Sequence, residues 1–172
     1  MAVAVSKPFK IRPARSSDLA SLAAIVNHEI TTGTASWTEK PRSEEYMARW
    51  VVDRTGSGFP VFVAEDDDED EVIGVAGYTQ FRSGEGYRYT VEHSIYVSPK
   101  ARRRGVATGL LERLIEQAQK DGLHRIVAAV SGDQALSMEL HEKMGFRVAG
   151  RLSEVGFKFD QWLDLVFMVR EL

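Results

Sequence analysis

The chain has 172 residues, of which 44% are hydrophobic and 27% charged, and its formal net charge is −3 at pH 7. These values are typical of a globular protein, and we expect one domain over residues 1–172 with a sizeable core. The sequence contains no cysteine, no apolar run of transmembrane length and no signal peptide, which predicts a cytoplasmic protein without disulfides, thiolate metal ligands, a cysteine nucleophile or a membrane partner.

The first half of the chain alternates between strand and helix patterns. Pro13 ends the first predicted strand, and Ser16 or Ser17 is expected to cap the helix that follows. The predicted elements are, in order, a strand over 9–12, a helix with an apolar stripe from Leu19 to Ile30, an irregular segment over 31–40, a helix over 43–54, and a hairpin of strands over 61–64 and 72–81.

Seven consecutive acidic residues, 65–71, join the two strands of the predicted hairpin. Such a block repels itself and usually forms a solvated loop, which we expect not to matter for catalysis. A calcium site is the alternative, but the run lacks the glycine and the terminal glutamate of an EF-hand loop. The overall acidity, with basic residues concentrated in one short turn, argues against nucleic acid as a partner.

The most informative stretch is 90–111. Residues 90–97 predict a strand, and apolar residues at helical spacing from Val106 to Ala118 predict a helix with Gly122 just past its end. Alternation along the strand places Val91, His93, Ile95 and Val97 on one face and Glu92, Ser94 and Tyr96 on the other. A carboxylate and a phenol inside an α/β domain indicate a cleft, although a solvent-facing glutamate is the alternative.

The turn between this strand and this helix has the features of an anion site. The first N–H groups of a helix lack intrahelical partners and lie at the positive end of its dipole. Gly105 and the small Ala107 allow another molecule close to that backbone, and Arg102, Arg103 and Arg104 add positive charge. The turn therefore predicts a phosphate site, with a solvated basic turn as the alternative. It contains neither a P-loop nor a dinucleotide fingerprint.

The last third of the chain predicts a strand over 125–130, a helix over 135–144, and strands over 146–151 and 162–170. In the short helix Leu136, Leu140 and Met144 form the predicted buried stripe, and His141 lies one position off it. A histidine in that place is either a hydrogen-bonded structural residue or a functional one. The histidines lack metal-ligand spacing, so we predict no metal.

Several of these features together resemble one superfamily. They are R-x-x-G-x-A between strand and helix, the element order, and the segments TVEHSIYVSP (90–99), LHEKMGF (140–146) and VGFKFDQWLDL (155–165). Over residues 11–172 the chain resembles the GNAT N-acetyltransferases, in particular the phosphinothricin and methionine sulfoximine acetyltransferase branch. The resemblance implies an α/β (α+β) fold whose mixed, mostly antiparallel sheet of about seven strands has helices on both faces and splays after the central strand.

The resemblance also implies a cofactor site. Acetyl-CoA would lie in the gap of the splayed sheet, with its pantetheine arm against backbone groups of Ile95, Tyr96 and Val97. The pyrophosphate would lie at the turn formed by Arg102, Arg103, Arg104, Gly105, Val106, Ala107, Thr108 and Gly109. Many relatives have an asparagine before the short helix that touches the pantetheine, and this chain has Gln134 there. Relatives are commonly homodimers, and the apolar segment WLDLVFMV (162–169) would suit an interface.

Acetyl transfer from a thioester to an amine requires a neutral amine, an oxyanion stabiliser and a proton for the thiolate. Glu92 is the candidate general base, at the position of the family glutamate. A backbone N–H near Tyr96 is the candidate for polarising the thioester carbonyl. His141 stands where many relatives have a tyrosine that protonates the thiolate, so the resemblance makes it a possible acid or substrate contact.

The substrate is expected to carry a carboxylate. Arg82 and Arg88 flank the segment before the central strand, and the resemblance implies that they bind the substrate α-carboxylate, although solvated loop arginines are common. Trp37 would close the apolar side of the pocket, or else belong to the core. We thus predict direct, ternary-complex N-acetylation of a free L-amino acid or an analogue such as methionine sulfoximine, methionine sulfone or phosphinothricin.

Three alternatives stay open at this stage. The chain could be a GNAT enzyme that acetylates a protein N-terminus or an aminoglycoside, which would require an acidic receptor groove. It could be a non-catalytic acyl-CoA-binding module, in which Glu92 would have no role. It could also be an unrelated phosphate-binding domain.

Overall fold

A computed structural model of the chain describes residues 8–172. The elements within that range are β1 (Phe9–Pro13), α1 (Leu19–Thr32), α2 (Glu44–Gly56), β2 (Val61–Asp66), β3 (Val72–Gln80), β4 (Thr90–Val97), α3 (Val106–Lys120), β5 (Arg125–Ser131), α4 (Ala135–Lys143), β6 (Arg147–Lys158) and β7 (Gln161–Glu171). None of the helices among residues 8–172 combines the length and the apolarity that crossing a membrane would require.

The strands form one sheet in the order β1-β2-β3-β4-β5-β7-β6. All neighbouring pairs are antiparallel except β4 and β5, which run parallel. The parallel ladder joins 90–93 to 125–128, and residues 94–97 of β4 have no β5 partner in it. The sheet therefore splays halfway along its central strand, which confirms the predicted fold class.

Helices cover both faces of the sheet, as expected for a sheet whose central strands are buried. Every residue of β2 is buried. On one face the fully buried leucines of α3 pack on β3, β4, β5 and β7, and on the other α1 and α2 pack on β2 and β3. Gly74 allows the start of α3 to lie close to the sheet, because a Cβ at position 74 would be only 2.9 Å from Val106 Cγ1. This contact fixes the helix N-terminus beside the end of β4.

The predicted cap of α1 is wrong. Residues Ser16–Asp18 form a 3-10 turn, and α1 begins after Asp18, whose side chain makes no capping bond. The Asp18 carboxylate instead accepts hydrogen bonds from the Arg12 guanidinium at 2.8 and 2.9 Å and from the Arg15 N–H at 2.7 Å. A buried carboxylate is best compensated by a cation, which explains why Asp18 pairs with arginine.

The prediction for the acidic run is correct only for its middle. Residues 67–70 are an exposed turn, but Glu65 and Asp66 end β2 and are buried. Glu65 pairs with Lys10 and Arg12, and Asp66 lies 2.8 Å from Arg104 Nη2. Cations from neighbouring elements therefore make burial of these two carboxylates tolerable. Through Asp66 the run contacts Arg104 of the predicted phosphate turn, and the expectation that it does not matter for catalysis stays a prediction.

The two C-terminal strands also differ from the predicted bounds. β6 continues to Lys158, seven residues beyond the prediction, and pairs with β7 through two register shifts. Most of β6 is exposed, so it lacks the clean apolar alternation on which a strand prediction depends. Pairing with β7, rather than burial, holds this strand in place.

Candidate active site

A cleft with a volume of ≈ 820 Å³ lies where β4 and β5 diverge. Its walls come from the end of α1, the segment 33–37, β4 from Glu92 onward, the turn that leads into α3, the end of β5 and the first turns of α4. The cleft contains, among the predicted residues, Trp37, Glu92, Ile95, Tyr96, Val97, Arg102, Ala107, Gln134 and His141. The tertiary structure thus assembles one site from segments far apart in the sequence.

A second cavity of ≈ 600 Å³ lies beside the acidic hairpin. Its walls are almost wholly polar and mostly charged, and Arg12 there already pairs with Asp18 and Glu65. Because these charges satisfy one another, the cavity lacks the mixture of apolar walls and few polar groups that is usual for a small-molecule site.

The backbone of β4 presents two residues to the gap. The Ser98 N–H donates to the Ile73 carbonyl, and the Phe81 N–H donates to the Thr90 carbonyl, at the two ends of the β3–β4 ladder. In an antiparallel ladder the direction of the N–H and C=O groups alternates along the strand. The even-numbered positions of β4, including Tyr96, therefore face β3, and Ile95 and Val97 direct their N–H and C=O groups toward the gap.

Glu92 is half-buried on the wall of the cleft. Burial raises the pKa of its carboxyl above the ordinary value, and the nearby positive charge of Arg82 opposes that rise. Arg82 Nη1 lies 3.5 Å from Glu92 Oε2, and the guanidinium also stacks over the Phe81 ring. A carboxylate with a raised pKa at a cleft is a suitable proton acceptor, and the structure brings it together with one of the two predicted substrate arginines.

The second predicted substrate arginine lies elsewhere. Arg88 Nη1 donates to the Glu85 carbonyl at 2.9 Å, and its guanidinium stacks over the Tyr89 ring. Neither Arg82 nor Arg88 is among the residues in the cleft walls, but Arg82 contacts Glu92, which is. Within residues 8–172 the arginine beside Glu92 is therefore Arg82 alone.

The Tyr96 side chain lies on the same face of β4 as Glu92 and packs against the core under α1 and α2. Burial raises the pKa of its phenol, so the hydroxyl stays protonated at neutral pH, and it shares a hydrogen bond with Ser36. Tyr96 therefore contributes a phenol to the cleft, while the backbone N–H donors nearest to it on the open side belong to Ile95 and Val97.

The buried residue of α4 is His141, which is 5% exposed, whereas Leu136 is 81% exposed. The predicted stripe of Leu136, Leu140 and Met144 is thus wrong in its first member. The His141 ring stacks on His93 of β4 with a centroid distance of 5.1 Å and contacts the Phe146 ring edge-on. These aromatic contacts rotate the short helix so that the histidine faces the sheet.

The hydrogen bonds of His141 engage both of its ring nitrogens. Nδ1 lies 2.6 Å from the Ser137 carbonyl, which can only accept, so Nδ1 carries a proton. Nε2 lies 3.1 Å from Nε2 of His93. Burial lowers the pKa of both rings, that of His93 to about 3, so both are neutral at pH 7. In the neutral pair His93 Nε2–H donates to His141, and the His93 Nδ1 lone pair has no hydrogen-bond partner among residues 8–172.

The predicted phosphate turn is built around Gly105. This residue has φ +81°, a conformation that strongly favours glycine, and a Cβ there would meet no atom within 4 Å. Ala107 lines the cleft and Val106 is core. Thr108 is partly exposed, and Gly109 packs against Phe9 and Ile11. The turn therefore combines open space at its start with packing at its end.

The three arginines of the turn lie in different environments. Arg102 lines the cleft, and its Nη2 lies 3.4 Å from Glu29 Oε2. Arg103 is exposed, at a backbone φ of +61°. Arg104 is largely buried against Asp66. The structure thus leaves two of the three guanidinium groups available at the surface of the turn.

Gln134 and Trp37 are joined to the cleft through the segment 33–37. Gln134 Nε2 donates to Thr34 Oγ1 at 2.7 Å, and Thr34 in turn donates to Asp133. Trp37 Nε1 donates to Ser131 Oγ at 3.3 Å. Trp37 therefore lines the cleft wall with a fixed ring orientation, as the first of its two predicted alternatives requires.

Four residues of this region carry no signal in the sequence, namely Glu29, Ser36, Gly156 and Lys158. Glu29 lies in a helix and Lys158 in a strand, and isolated charged residues in such elements are usually solvated. Only the pairing of distant segments shows that they contact the site.

Taken together, the splayed mixed sheet and the helix that begins at a glycine beside the gap define the class of acetyltransferase folds. Residues 22–146 match the family described as Acetyltransferase (GNAT) family. The chain belongs to this family, as its motifs predicted.

The relatives specify a branch of the family. L-methionine sulfoximine/L-methionine sulfone acetyltransferase of Pseudomonas aeruginosa is 42% identical over 158 residues, which cover 92% of this chain and 91% of that protein. L-amino acid N-acyltransferase MnaT of Escherichia coli is 39% identical, with coverages of 95% and 94%. The crystal structure of a GNAT superfamily phosphinothricin acetyltransferase from Sinorhizobium meliloti in complex with acetyl-CoA is similar at a TM-score of 0.92 and 37% identity, covering 95% of this chain and 88% of that one.

Proposed function

We propose that the chain is an acetyl-CoA-dependent N-acetyltransferase acting on the α-amine of a free L-amino acid or an analogue of the methionine sulfoximine, methionine sulfone or phosphinothricin type. The observation that carries this proposal is the pairing of Glu92, which lines the cleft, with Arg82, which contacts it from outside the lining residues. It places a proton acceptor with a raised pKa next to a carboxylate-binding group. We further propose that the chain acts as one domain in the cytoplasm.

The cleft fits acetyl-CoA. The backbone groups of Ile95 and Val97 face the gap and can pair with an extended pantetheine arm in place of the missing strand. At the start of α3, Gly105 leaves open space and Ala107 lines the cleft, so the free N–H groups of the helix can approach a pyrophosphate. Arg102 and Arg103 would add positive charge there. When bound, the molecule supplies the acetyl thioester.

Glu92 would act as the general base in this reaction. Its carboxylate accepts a proton from the substrate α-ammonium, directly or through one water, and leaves a neutral amine. The amine nitrogen forms a bond to the thioester carbonyl carbon, and the carbon–sulfur bond breaks. The nitrogen then loses its second proton, and the departing thiolate gains one to become the free thiol. The Ile95 or Val97 N–H is aimed toward the gap and would stabilise the developing oxyanion. Tyr96 keeps its phenol proton and forms part of the wall.

His141 has a more restricted role in this proposal. In neutral His141 the one ring proton is on Nδ1, which donates to the Ser137 carbonyl, and Nε2 accepts from His93. Donation to the thiolate would therefore require Nε2 to leave His93 and to be protonated first. We therefore assign to His141 the shaping of the cleft wall in the resting enzyme. It serves as a proton donor only after Nε2 has left His93 and taken up a proton.

Arg82 would bind the α-carboxylate of the substrate. A carboxylate held by its guanidinium brings the α-amine of the same molecule close to Glu92, because Arg82 Nη1 and Glu92 Oε2 are 3.5 Å apart. Trp37 would contact the apolar part of the side chain. Arg88 contacts Glu85 and Tyr89 rather than Glu92, so the proposed clamp has one arginine.

A second copy of the chain is the proposed partner. β6 is an edge strand of the sheet. Six large apolar side chains are exposed within residues 148–162, which include most of β6 and the start of β7, namely Val148, Leu152, Val155, Phe157, Phe159 and Trp162. A long apolar edge strand invites pairing with another chain. We propose a homodimer through this region, as the family resemblance implies.

Thiol release tests the proposed function. The protein is incubated with acetyl-CoA and a panel of L-amino acids, their methyl esters, methionine sulfone, methionine sulfoximine, phosphinothricin, N-terminal peptides and an aminoglycoside. We expect release with the free amino acids or their analogues and little with esters or peptides. Acetyl-CoA binding without release for any amine would favour the non-catalytic module, and preference for peptides or aminoglycosides would favour the other GNAT activities.

A further inference from the structure

Lys158 is a buried cation that the mechanism above does not use. Its side chain is 0% exposed at the end of β6. Its Nζ donates to the Gly33 carbonyl at 2.6 Å and to the Ser36 carbonyl at 2.5 Å, and it lies 4.7 Å from the centre of the Phe159 ring. A buried ammonium is tolerated only when its N–H groups are satisfied. The lysine and the two carbonyl groups therefore fix one another in place.

The two carbonyls belong to residues 33–37, here called the bridging segment, which crosses the open side of the splayed sheet. In its middle the Ala35 N–H donates to Glu29 Oε1 at 3.0 Å. At its C-terminal end Trp37 binds Ser131 at the end of β5. Four of its five residues, with Trp37 among them, line the cleft that also contains Glu92. The bridging segment is therefore a wall of the substrate side of the site.

A second residue of β6 contacts the same segment. Gly156 lies two positions before Lys158 and so on the same face of the strand. A Cβ at Gly156 would lie 2.3 Å from two carbon atoms of the Trp37 ring. These are the two buried positions of β6, whose other residues are exposed. β6 thus supports the bridging segment at two points. Lys158 donates hydrogen bonds to it, and Gly156 leaves the space that the Trp37 ring occupies.

We infer that Lys158 is a positioning residue for the amino-acid subsite, an inference that rests on the proposed function. It holds the bridging segment, and through it Trp37, in a preformed position without contacting the substrate. Displacement of binding groups by about 1 Å can cost about a hundredfold in catalysis. The Lys158 ammonium contacts Gly33 and Ser36, and not the β4 backbone or the start of α3 that we propose to bind acetyl-CoA.

The substitution Lys158→Met tests this assignment, because it keeps the aliphatic stem and removes the N–H donors. We expect the KM for the amino acid to rise about tenfold to a hundredfold, while the acetyl-CoA Kd measured by calorimetry changes less than about twofold. Lys143→Met is the matched control, since Lys143 is 71% exposed on α4 and pairs with Glu139. An unchanged amino-acid KM in folded Lys158→Met would overturn the inference.

Gly156→Ala is the second variant, because it displaces Trp37 and leaves every charge in place. We expect the same separation of effects, a raised amino-acid KM with an unchanged acetyl-CoA Kd. If Lys158→Met does not fold, this variant decides whether β6 sets the subsite. An unchanged KM in Gly156→Ala would then contradict the inference.

A structural readout separates this inference from the proposed function. Amide hydrogen exchange reports local opening. In Lys158→Met we expect faster exchange confined to residues 33–37, with β3 and β4 protected as in the parent. If the parent acetylates no amino acid, the proposed function fails, and the exchange pattern still shows whether Lys158 holds the bridging segment. Unchanged exchange there, or an increase over the whole chain, would refute the positioning role.

Discussion

The substitution Glu92→Gln tests the proposed chemistry most directly. Glutamine has nearly the same shape as glutamate and cannot accept the ammonium proton at neutral pH. Loss of a general base costs ~10²–10⁴-fold in rate, equivalent to about 3–5.5 kcal/mol of transition-state free energy. We therefore expect kcat to fall by that factor while the acetyl-CoA Kd is unchanged.

The structure shows why this loss should not be confused with a loss of stability. Two unit charges at the 3.5 Å separation of Arg82 and Glu92 interact by about 1 kcal/mol in a medium like water. Since the Arg82 side chain is 50% exposed, solvent and salt reduce that value further. The expected change in the free energy of unfolding is thus well below the expected change in activation free energy, so the two are separable.

The assay is thiol release at saturating acetyl-CoA, with kcat/KM measured from acidic to alkaline pH. In the parent, activity should fall at acidic pH as the Glu92 carboxylate becomes protonated, at a pH above that of an ordinary glutamate because burial raises its pKa. This decrease of kcat/KM at acidic pH should be absent in Glu92→Gln. Glu85→Gln, in the exposed turn before β4, is the control. Full kcat of Glu92→Gln at neutral pH would show that Glu92 at most positions the substrate.

Three further predictions follow from the site and its supports. Gly105→Asp places a side chain and a negative charge at a φ of +81° beside the proposed pyrophosphate site, so calorimetry should show strongly weakened CoA binding; unchanged affinity in a folded variant would refute the site assignment. Arg82→Ala should raise the KM for amino acids and leave the acetyl-CoA Kd unchanged, and equal turnover of a free acid and its methyl ester by the parent would contradict the carboxylate clamp. The His93 ring protonates near 6.5 when unfolded and near 3 when folded, so lowering the pH through that range favours unfolding by about 1.4 kcal/mol per pH unit. Chemical denaturation of His93→Gln should show a shallower loss of stability between pH 6 and 4, and an unchanged slope would mean that His93 is not buried in its neutral form.

The local elements of this protein could be predicted from its sequence because their signals are local. The hydrophobic period of α3, the alternation along β4, the glycine at the turn and the acidic hairpin each depend on residues close together in the chain. The same is true of R-x-x-G-x-A between strand and helix, which carried the family resemblance. These features were sufficient to predict the fold class and to locate the turn between β4 and α3.

Only the tertiary structure decided which of these residues meet. His141 is buried because its ring stacks on His93, 48 residues away, although the helical pattern favoured Leu136. The Arg104 guanidinium pairs with the buried Asp66 and is largely buried itself. Arg82 contacts Glu92, whereas Arg88 does not. Lys158 reaches Gly33 across 125 residues. Each outcome depends on desolvation and on a partner from a distant element, and these are energies that a local sequence pattern does not contain.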